Sequence, residues 1–327
     1  MSNPYEALRT GGILDLNEYE TNVIKLIQEQ VCSSHVLLGL SGGIDSSVCA
    51  ALLAKAIPGK LHCILVDHGF MRKNEANEVE SAFQGHDLNL IRVNAEDRFL
   101  SKLANITDPE QKRKIIGEEF IRVFEEEAKK LKNTQFLAQG TISLDVAESG
   151  SGGAKHVKSH HNVGGLPENI DFKGIVEPLR GLNKLEVREL GCRLGLPVTL
   201  TQRQPFPGPG LAVRCIGAIT KERLDILREA DAVFRSELEA AGVKADQYFT
   251  VLTDMRSTGL NKDGSRAYGH VVALRAVKTN DYLTCDYIPI PYDILGEISK
   301  KITTNVLEIT RVVYDITNKP PATLEWE

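Results

Sequence analysis

Several features are missing from this sequence of 327 residues, and each absence removes a class of protein. No apolar run reaches the roughly 18 residues that a membrane-spanning helix needs. The opening MSNPYEALRTGG has neither the basic end nor the apolar stretch of a secretion signal. Together these predict a cytoplasmic protein with no membrane role. Basic charge is not in excess: 39 Lys and Arg against 44 Asp and Glu leave a formal net charge of -5, which gives no general attraction for nucleic acid. The 27 glycines and 13 prolines fall short of a low-complexity composition. Cysteine is sparse, with six at positions 32, 49, 63, 192, 215 and 285, none closer than 14 residues to the next, so no CxxC pair for zinc or redox chemistry can be drawn. Several of these cysteines are expected to be small buried hydrophobes, and all are consistent with a reducing compartment. What remains, 42% hydrophobic and 25% charged residues, is ordinary globular usage, and the length suggests two domains.

Hydrophobic periodicity organises the first half. A helix is predicted over Leu16–Val31, then a short buried strand Val36–Leu40, a helix Asp45–Ala56 and a strand Leu61–Val66. The alternation continues with helix Asn74–Phe83, strand Asn89–Val93, a long helix Pro109–Lys132 and strand Gln135–Gln139. Such alternation implies a doubly wound, mostly parallel α/β sheet. On the long helix Ile116, Phe120, Val123 and Phe124 form one stripe, read as core, with Glu and Lys on the other face. From Gly140 to Glu168 periodicity fades into Ser, Gly, His and Asn, which reads as a mobile lid near 141–168. Helix Lys184–Leu194 closes this domain, and Pro205-Phe206-Pro207-Gly208-Pro209-Gly210 marks a rigid boundary. Beyond it, helix Lys221–Ala241, strands Phe249–Met255 and Tyr268–Val277, helix Pro291–Thr304 and strand Arg311–Ile316 suggest a smaller α+β domain. The division expected is therefore 1–205 and 206–327.

The chemistry concentrates where the first strand ends, at Ser41-Gly42-Gly43-Ile44-Asp45-Ser46-Ser47. Two glycines remove side chains where a backbone must approach a ligand, and the helix N-terminus behind them offers unpaired N–H groups and a positive dipole end. This predicts a phosphate cradle. It is neither a Walker A loop, since no Gly-Lys-Ser/Thr follows, nor GxGxxG. A plain strand-to-helix turn capped by Asp45 or Ser46 is the simpler reading of the same residues.

The loop resembles the pyrophosphate-binding loop of the N-type ATP pyrophosphatases. Further blocks resemble the ATP-pyrophosphatase half of the GMP synthetases: Val66-Asp67-His68-Gly69 with Arg72, Lys112-Arg113-Lys114-Ile115-Ile116-Gly117, Ala138-Gln139-Gly140-Thr141, Lys158-Ser159-His160-His161-Asn162, the Pro205–Gly210 segment and the closing Lys319-Pro320-Pro321-Ala322-Thr323-Leu324-Glu325-Trp326-Glu327. That resemblance implies ATP binding by Ser41, Gly42, Gly43, Ile44, Asp45, Ser46, Ser47, Val66, Gln139, Gly140 and Lys158, with Asp45 holding Mg2+. Lys158 would supply the cation that the loop lacks, closing over the phosphates from the lid; from the residues alone, a solvated surface lysine is the favoured reading. Asp145 and Glu148 are three apart and would share a helical face. The resemblance suggests lid positioning or ammonia handling for them, beside the plainer reading of a solvated face. Relatives commonly carry Tyr-Pro before this aspartate where this chain has Ser143-Leu144, implying a hinge of different stiffness. His160 and His161 lack a third ligand at helical spacing and read as hydrogen-bonding rather than metal-binding residues.

For xanthosine monophosphate (XMP), the resemblance implies contacts from Arg311, Lys319, Leu324 and Glu325, with Gln247 and Arg113 as further candidates and Pro205 and Pro207 lining the pocket. The implied reaction is adenylylation of the XMP 2-oxygen by ATP, then displacement of AMP by ammonia to give GMP. Only about 35 residues precede the first strand, too few for a glutamine amidotransferase domain, so a stand-alone subunit is expected to take ammonia from a separate amidotransferase subunit or from solution, with an excised domain as the alternative. The C-terminal domain is expected to pair two chains as a homodimer. Two alternatives stand beside this reading. One is another enzyme of the same loop class, such as an NAD synthetase, an argininosuccinate synthetase or a tRNA thiolase; the other is a nucleotide sensor without turnover.

Overall fold

The computed structural model describes residues 3–9, 14–150, 172–261, 263–279 and 284–327. The chain divides into two compact units. One comprises Met1–His68, Asn74–Ala95 and Gly117–Gly208; the other comprises Gly69–Lys73, Glu96–Ile116 and Pro209–Glu327. The sequence reading treated each domain as one continuous stretch, whereas the second unit also takes in two early segments. Side-chain bonds explain this. Lys112 reaches the Cys215 carbonyl at 2.9 Å, Lys221 pairs with Glu96 at 2.8 Å, and Arg228 bonds to the carbonyls of Gly69 and Met71.

The first unit is built on five parallel strands, β1 (His35–Gly39), β2 (Leu61–Asp67), β3 (Asn89–Asn94), β4 (Thr134–Ala138) and β5 (Gly174–Val176), in the order β3-β2-β1-β4-β5. This is the doubly wound sheet expected from the alternation. The chain lays β2 and β3 to one side of β1, then returns to place β4 and β5 on the other. The order reverses between β1 and β4, and ligands of such sheets bind beyond the carboxyl ends of the strands at that point. The central strands are apolar because both faces are covered. Val36, Leu37 and Leu38 on β1, and Ile64 and Leu65 on β2, are fully buried. The first unit holds α1 (Leu16–Val31), α2 (Ile44–Ala56), α3 (Glu75–Ala82), α6 (Ser143–Gly150), α7 (Lys184–Arg193) and α8 (Val198–Thr201), while α4 (Glu96–Lys102) belongs to the second unit and α5 (Pro109–Ala128) is divided between the two. Helix α2 is buried along nearly its whole length, which suits its almost uniformly apolar sequence. Asn183 caps α7, its side chain accepting from the Leu185 and Glu186 N–H groups while Glu186 returns a bond to the cap N–H.

Two expectations need correction here, and the cysteines follow theirs. The stretch after Gln139 is not structureless throughout, since Ser143–Gly150 is helical; the rest of the expected lid lies outside the described residues. The charged face of α5 is not simply solvated: Ile116, Val123 and Phe124 are buried as expected, but so are Lys112, Glu119 and Glu125, while Phe120 is half-buried. Cys49, Cys63, Cys215 and Cys285 are buried, whereas Cys32 and Cys192 are exposed. Burial pushes the Cys63 thiol up to about 12, as suits an inert, space-filling cysteine.

The second unit is an α+β layer, with α9 (Lys221–Ala240) and α10 (Tyr292–Asn305) beside a four-stranded sheet of β6 (Gln247–Leu260), β7 (Arg266–Thr279), β8 (Cys285–Tyr287) and β9 (Ile309–Tyr314). β6 and β7 pair antiparallel, with a register shift between Leu252 and Arg256, and β9 runs parallel to the middle of β7. β6 continues to Leu260, five residues past the expected end, because backbone pairing persists where apolar alternation stops. Asp231 on α9, buried, accepts from the Thr250 N–H and from Arg235, both at 3.0 Å, which ties the helix to the sheet. No helix is long and apolar enough to cross a membrane among the described residues.

Candidate functional site

The turn after β1 sits at the reversal point of the sheet. Gly42 adopts φ +77, a left-handed conformation that costs glycine little. Gly43 is the N-cap of α2 and has no side chain to bond the N–H groups of the first helical turn. Serine hydroxyls hold the turn: Ser41 and Ser46 Oγ lie 3.0 Å apart, Ser46 Oγ donates to the Gly43 carbonyl at 3.1 Å, and the Gly43 N–H reaches Ser41 Oγ at 3.3 Å. Ser41 and Gly43 are exposed, so the turn is open to a ligand.

Across the reversal, the residues after β4 close on the same turn. A Cβ on Gly140 would lie 2.9 Å from the Asp45 carbonyl carbon and 3.0 Å from the Ser46 nitrogen. Only glycine lets these two backbones meet. Gln139 is half-buried, its carbonyl accepting from the Cys49 thiol at 3.7 Å. Val66, next to last in the neighbouring β2, is a buried side chain. The structure thus gathers Ser41, Gly42, Gly43, Asp45, Ser46, Val66, Gln139 and Gly140 at the carboxyl ends of β1, β2 and β4.

Two expected members face inward instead. Ile44 is buried. Ser47 has no exposure, its N–H is spent on the Gly43 carbonyl, and its hydroxyl has no partner among the described residues. It supports the helix start rather than presenting an outward donor. Lys158, His160 and His161 lie outside the described residues. Asp145 accepts from the Ile142 N–H at 2.9 Å, which is half of a capping box at the start of α6. Glu148 belongs to the same helix, and its side chain is outside the described set.

Two residues at this turn were not anticipated. Lys184, in the first turn of α7, brackets the Asp45 carboxylate at 2.9 and 2.7 Å, with both side chains 31% exposed. Arg203 donates to the Gly42 carbonyl at 3.4 Å. The Asn-x-x-Glu box at 183–186 signals a helix start, but nothing local ties position 184 to a carboxylate 139 residues earlier. No cluster of three or more potential metal ligands occurs among the described residues, so Asp45 is not part of one. A single carboxylate fits Mg2+ that is held mainly by phosphate oxygens and water, since this ion commonly binds through one or two protein carboxylates.

The expected nucleotide contacts fall in two places. Pro205 and Pro207 belong to the first unit, and Arg113, Gln247, Arg311, Lys319, Leu324 and Glu325 to the second. Arg113 is paired with Glu110, Gln247 opens β6 opposite Val277, and exposed Arg311 bonds Ser257 Oγ at 2.9 Å. The Lys319 backbone pairs with Cys285. The tail is docked on its own unit by buried cations. Arg214, with no exposure and stacked 3.8 Å over the Phe249 ring, forks onto Glu325 at 2.9 and 2.7 Å. Buried Lys112 pairs with Glu327, which also accepts the Gly217 N–H at 3.0 Å. Buried Arg275 bonds Asp315 at 2.5 Å and the Thr323 carbonyl at 3.1 Å. Burial opposes charge on Asp315, but Thr317, Arg275 and Trp326 hold its carboxyl below the usual range. The Glu325 carboxylate, expected to meet a nucleotide, is therefore engaged by Arg214. A cavity of about 500 Å³ lies alongside, lined by Tyr314, Asp315, Thr323, Glu325 and Trp326 among others.

A parallel doubly wound sheet, with a glycine turn at its reversal point that lacks a side-chain cap, is the arrangement that the resemblance to the ATP pyrophosphatases implies. Comparison with known proteins agrees and narrows it. Residues 16–122 match the NAD synthase family, and residues 236–326 match the GMP synthase C terminal domain. The "GMP synthase [glutamine-hydrolyzing]" of Treponema denticola is 57% identical over 325 residues, which is 99% of this chain and 62% of that protein. That of Finegoldia magna is 56% identical over 325 residues, 99% of this chain and 64% of its own length. Among solved structures, an NMN synthetase from Francisella tularensis matches with a TM-score of 0.47 at 16% identity, covering 65% of this chain and 85% of that one. The chain is thus similar to GMP synthases along 99% of its length, and it spans 62% to 64% of the length of these two relatives.

Proposed function

We propose that this chain makes GMP from XMP, ATP and ammonia. The observation that carries this reading is the match to GMP synthases along 99% of the chain, with the GMP synthase C-terminal domain in the unit that holds the tail. In the first step the 2-oxygen of the xanthine ring attacks the α-phosphorus of ATP, and the bond to the β-phosphate breaks to release pyrophosphate. In the second, ammonia attacks carbon 2, the carbon–oxygen bond breaks, AMP leaves, and the nitrogen loses its excess proton.

Catalysis of such transfers is chiefly positioning and charge neutralisation. The N–H groups at the start of α2 would receive the β and γ phosphates, with Ser41 and Ser46 shaping the turn. Gly140 and Gln139 would border the nucleotide, and Val66 would give it an apolar surface. Mg2+, when bound, supplies charge neutralisation on the phosphates, and Asp45 is the residue that would hold it. Lys158 is the proposed cation that closes over the phosphates, and Lys184 would pass from Asp45 to the departing phosphates beside it. Arg113, Gln247, Arg311, Lys319 and Leu324 are the proposed XMP contacts, with Glu325 held beside them by Arg214. Asp145 would set the start of α6, and Glu148 would act from the same helix. We further infer a cytoplasmic homodimer that receives ammonia from a separate glutamine amidotransferase subunit.

The test is direct. The purified chain given ATP, Mg2+, XMP and an ammonium salt should release pyrophosphate and form GMP, with little product when glutamine replaces ammonium. ATP binding without XMP-dependent pyrophosphate release would sink the reading in favour of a nucleotide sensor.

A further inference from the structure

We propose that Arg203 locks the glycine turn in its anion-accepting orientation, a positioning role that rests on the ATP reading above. A planar trans peptide points its carbonyl and its N–H to opposite sides. The Gly42 carbonyl is turned toward the Arg203 guanidinium, with Nη1 at 3.4 Å, so the Gly43 N–H is turned away from it, toward Ser41 Oγ. That N–H is one of the donors that a phosphate at the head of α2 would use.

The Gly42–Gly43 linkage cannot hold this orientation by itself. Gly42 is already left-handed at φ +77, and neither residue has a Cβ to resist rotation of the peptide between them. Flipped, the same peptide would present a carbonyl oxygen to the arriving phosphate and an N–H to the guanidinium, and both contacts are repulsive. Arg203 disfavours that state from behind the turn.

Its own position is held from two sides. Nη1 meets Glu75 at 2.9 Å and Nη2 meets Glu78 at 2.6 Å, both on α3. Its backbone is fixed by Arg188 of α7, which donates to the Thr201 carbonyl at 2.6 Å and to the Arg203 carbonyl at 3.2 Å. Two carboxylates against one guanidinium leave the trio with no positive charge to offer. Arg203 therefore acts on the direction of a peptide rather than as a phosphate-attracting cation, and α7 delivers both Lys184 to Asp45 and, through Arg188, Arg203 to Gly42.

The experiment uses the full chain, inorganic pyrophosphate with Mg2+ as the probe, and three variants: Arg203→Lys, Glu78→Gln, and Arg203→Met combined with Glu75→Gln, which removes the guanidinium together with the charge of the buried carboxylate it meets. Calorimetry reads pyrophosphate affinity, and the amide resonance of Gly43 in glycine-labelled protein, assigned by its loss in Gly43→Ala, reads peptide orientation without ligand. The double variant should bind pyrophosphate about tenfold more weakly, the expected order for losing one hydrogen bond to a charged group, and its Gly43 resonance should shift. Arg203→Lys, which still offers an ammonium to the Gly42 carbonyl, should stay within about threefold of the parent. Glu78→Gln, at an exposed carboxylate, should weaken binding measurably less than the double variant. A folded double variant with parental affinity and an unmoved Gly43 resonance overturns the proposal; if it does not fold, parental affinity and an unmoved Gly43 resonance in Glu78→Gln overturn it. Failure of the parent chain to bind pyrophosphate would count against the ATP reading, and the Gly43 resonance would still decide the role of Arg203.

Discussion

Around the glycine turn charge is left within reach of water, whereas around the tail it is sealed. Asp45 and Lys184 each keep 31% of their side-chain surface exposed, and the helix behind them has no side-chain cap. Lys112, Arg214 and Arg275 have none exposed, and each is matched to a carboxylate of residues 315–327. The contrast separates two uses of the same chemistry. A half-exposed pair can trade partners with an incoming phosphate or cation at small cost, because its desolvation was never complete. A sealed pair cannot, since stranding a buried charge is among the most expensive single changes available. The tail carboxylates accordingly close the second unit, and exposed Arg311 is the nearer candidate to meet a ligand.

The strongest way to break this comparison is at Glu327. Glu327→Gln leaves Lys112 buried without its counter-ion and should destabilise the second unit by about 3–5 kcal/mol, measured by denaturant unfolding. Adding Lys112→Met should recover most of that loss, since an apolar group of similar length strands no charge. A Glu327→Gln chain as stable as its parent would show that the tail does not seal the unit.

Lys184→Met sharpens the other half. Loss of a pair this exposed should cost no more than about 1 kcal/mol of stability, while XMP-dependent pyrophosphate release should fall about tenfold or more if Lys184 meets charge on the departing phosphates. A stability loss equal to the activity loss would instead make the pair structural, like those of the tail.

Much of this was readable from residues close together in the chain. An apolar run, a Ser-Gly-Gly turn and an apolar helix announce β1, the turn and α2 within about 20 residues, and each successive strand and helix carries its own period. What could not be read depends on distant partners. Lys112 looks like one more charged residue on the solvated side of α5, and only Glu327 and the Cys215 carbonyl make its burial tolerable. Lys184 and Arg203 reach the turn only once α7 and α8 are packed beneath it. β5 and β8 are three residues each, too short for a period, and the far part of β6 is exposed, so no alternation marks it.

The smallest expected effect concerns pH, and it probes the base of the first unit rather than its site. His35 and His62, at the start of β1 and β2, stack with ring centroids 5.0 Å apart and share a 2.8 Å contact between Nδ1 of one and Nε2 of the other, while His62 Nδ1 meets Asn89. Burial, then the neighbouring His35, lowers the His62 pKa below its ordinary 6.5. The unfolded chain therefore binds a proton more readily than the folded one, so stability rises with pH across this range. The contribution is complete above 6.5 and is lost as pH falls through the lowered folded value. Denaturation midpoints compared on either side of that window should show a modest loss on the acid side, reduced in His62→Gln, which keeps a hydrogen-bonding side chain but cannot charge. His270 in the second unit is also lowered, by burial and then Arg256, so part of the slope should survive that substitution. If the slope were unaffected by His62→Gln, the paired rings would not be its source.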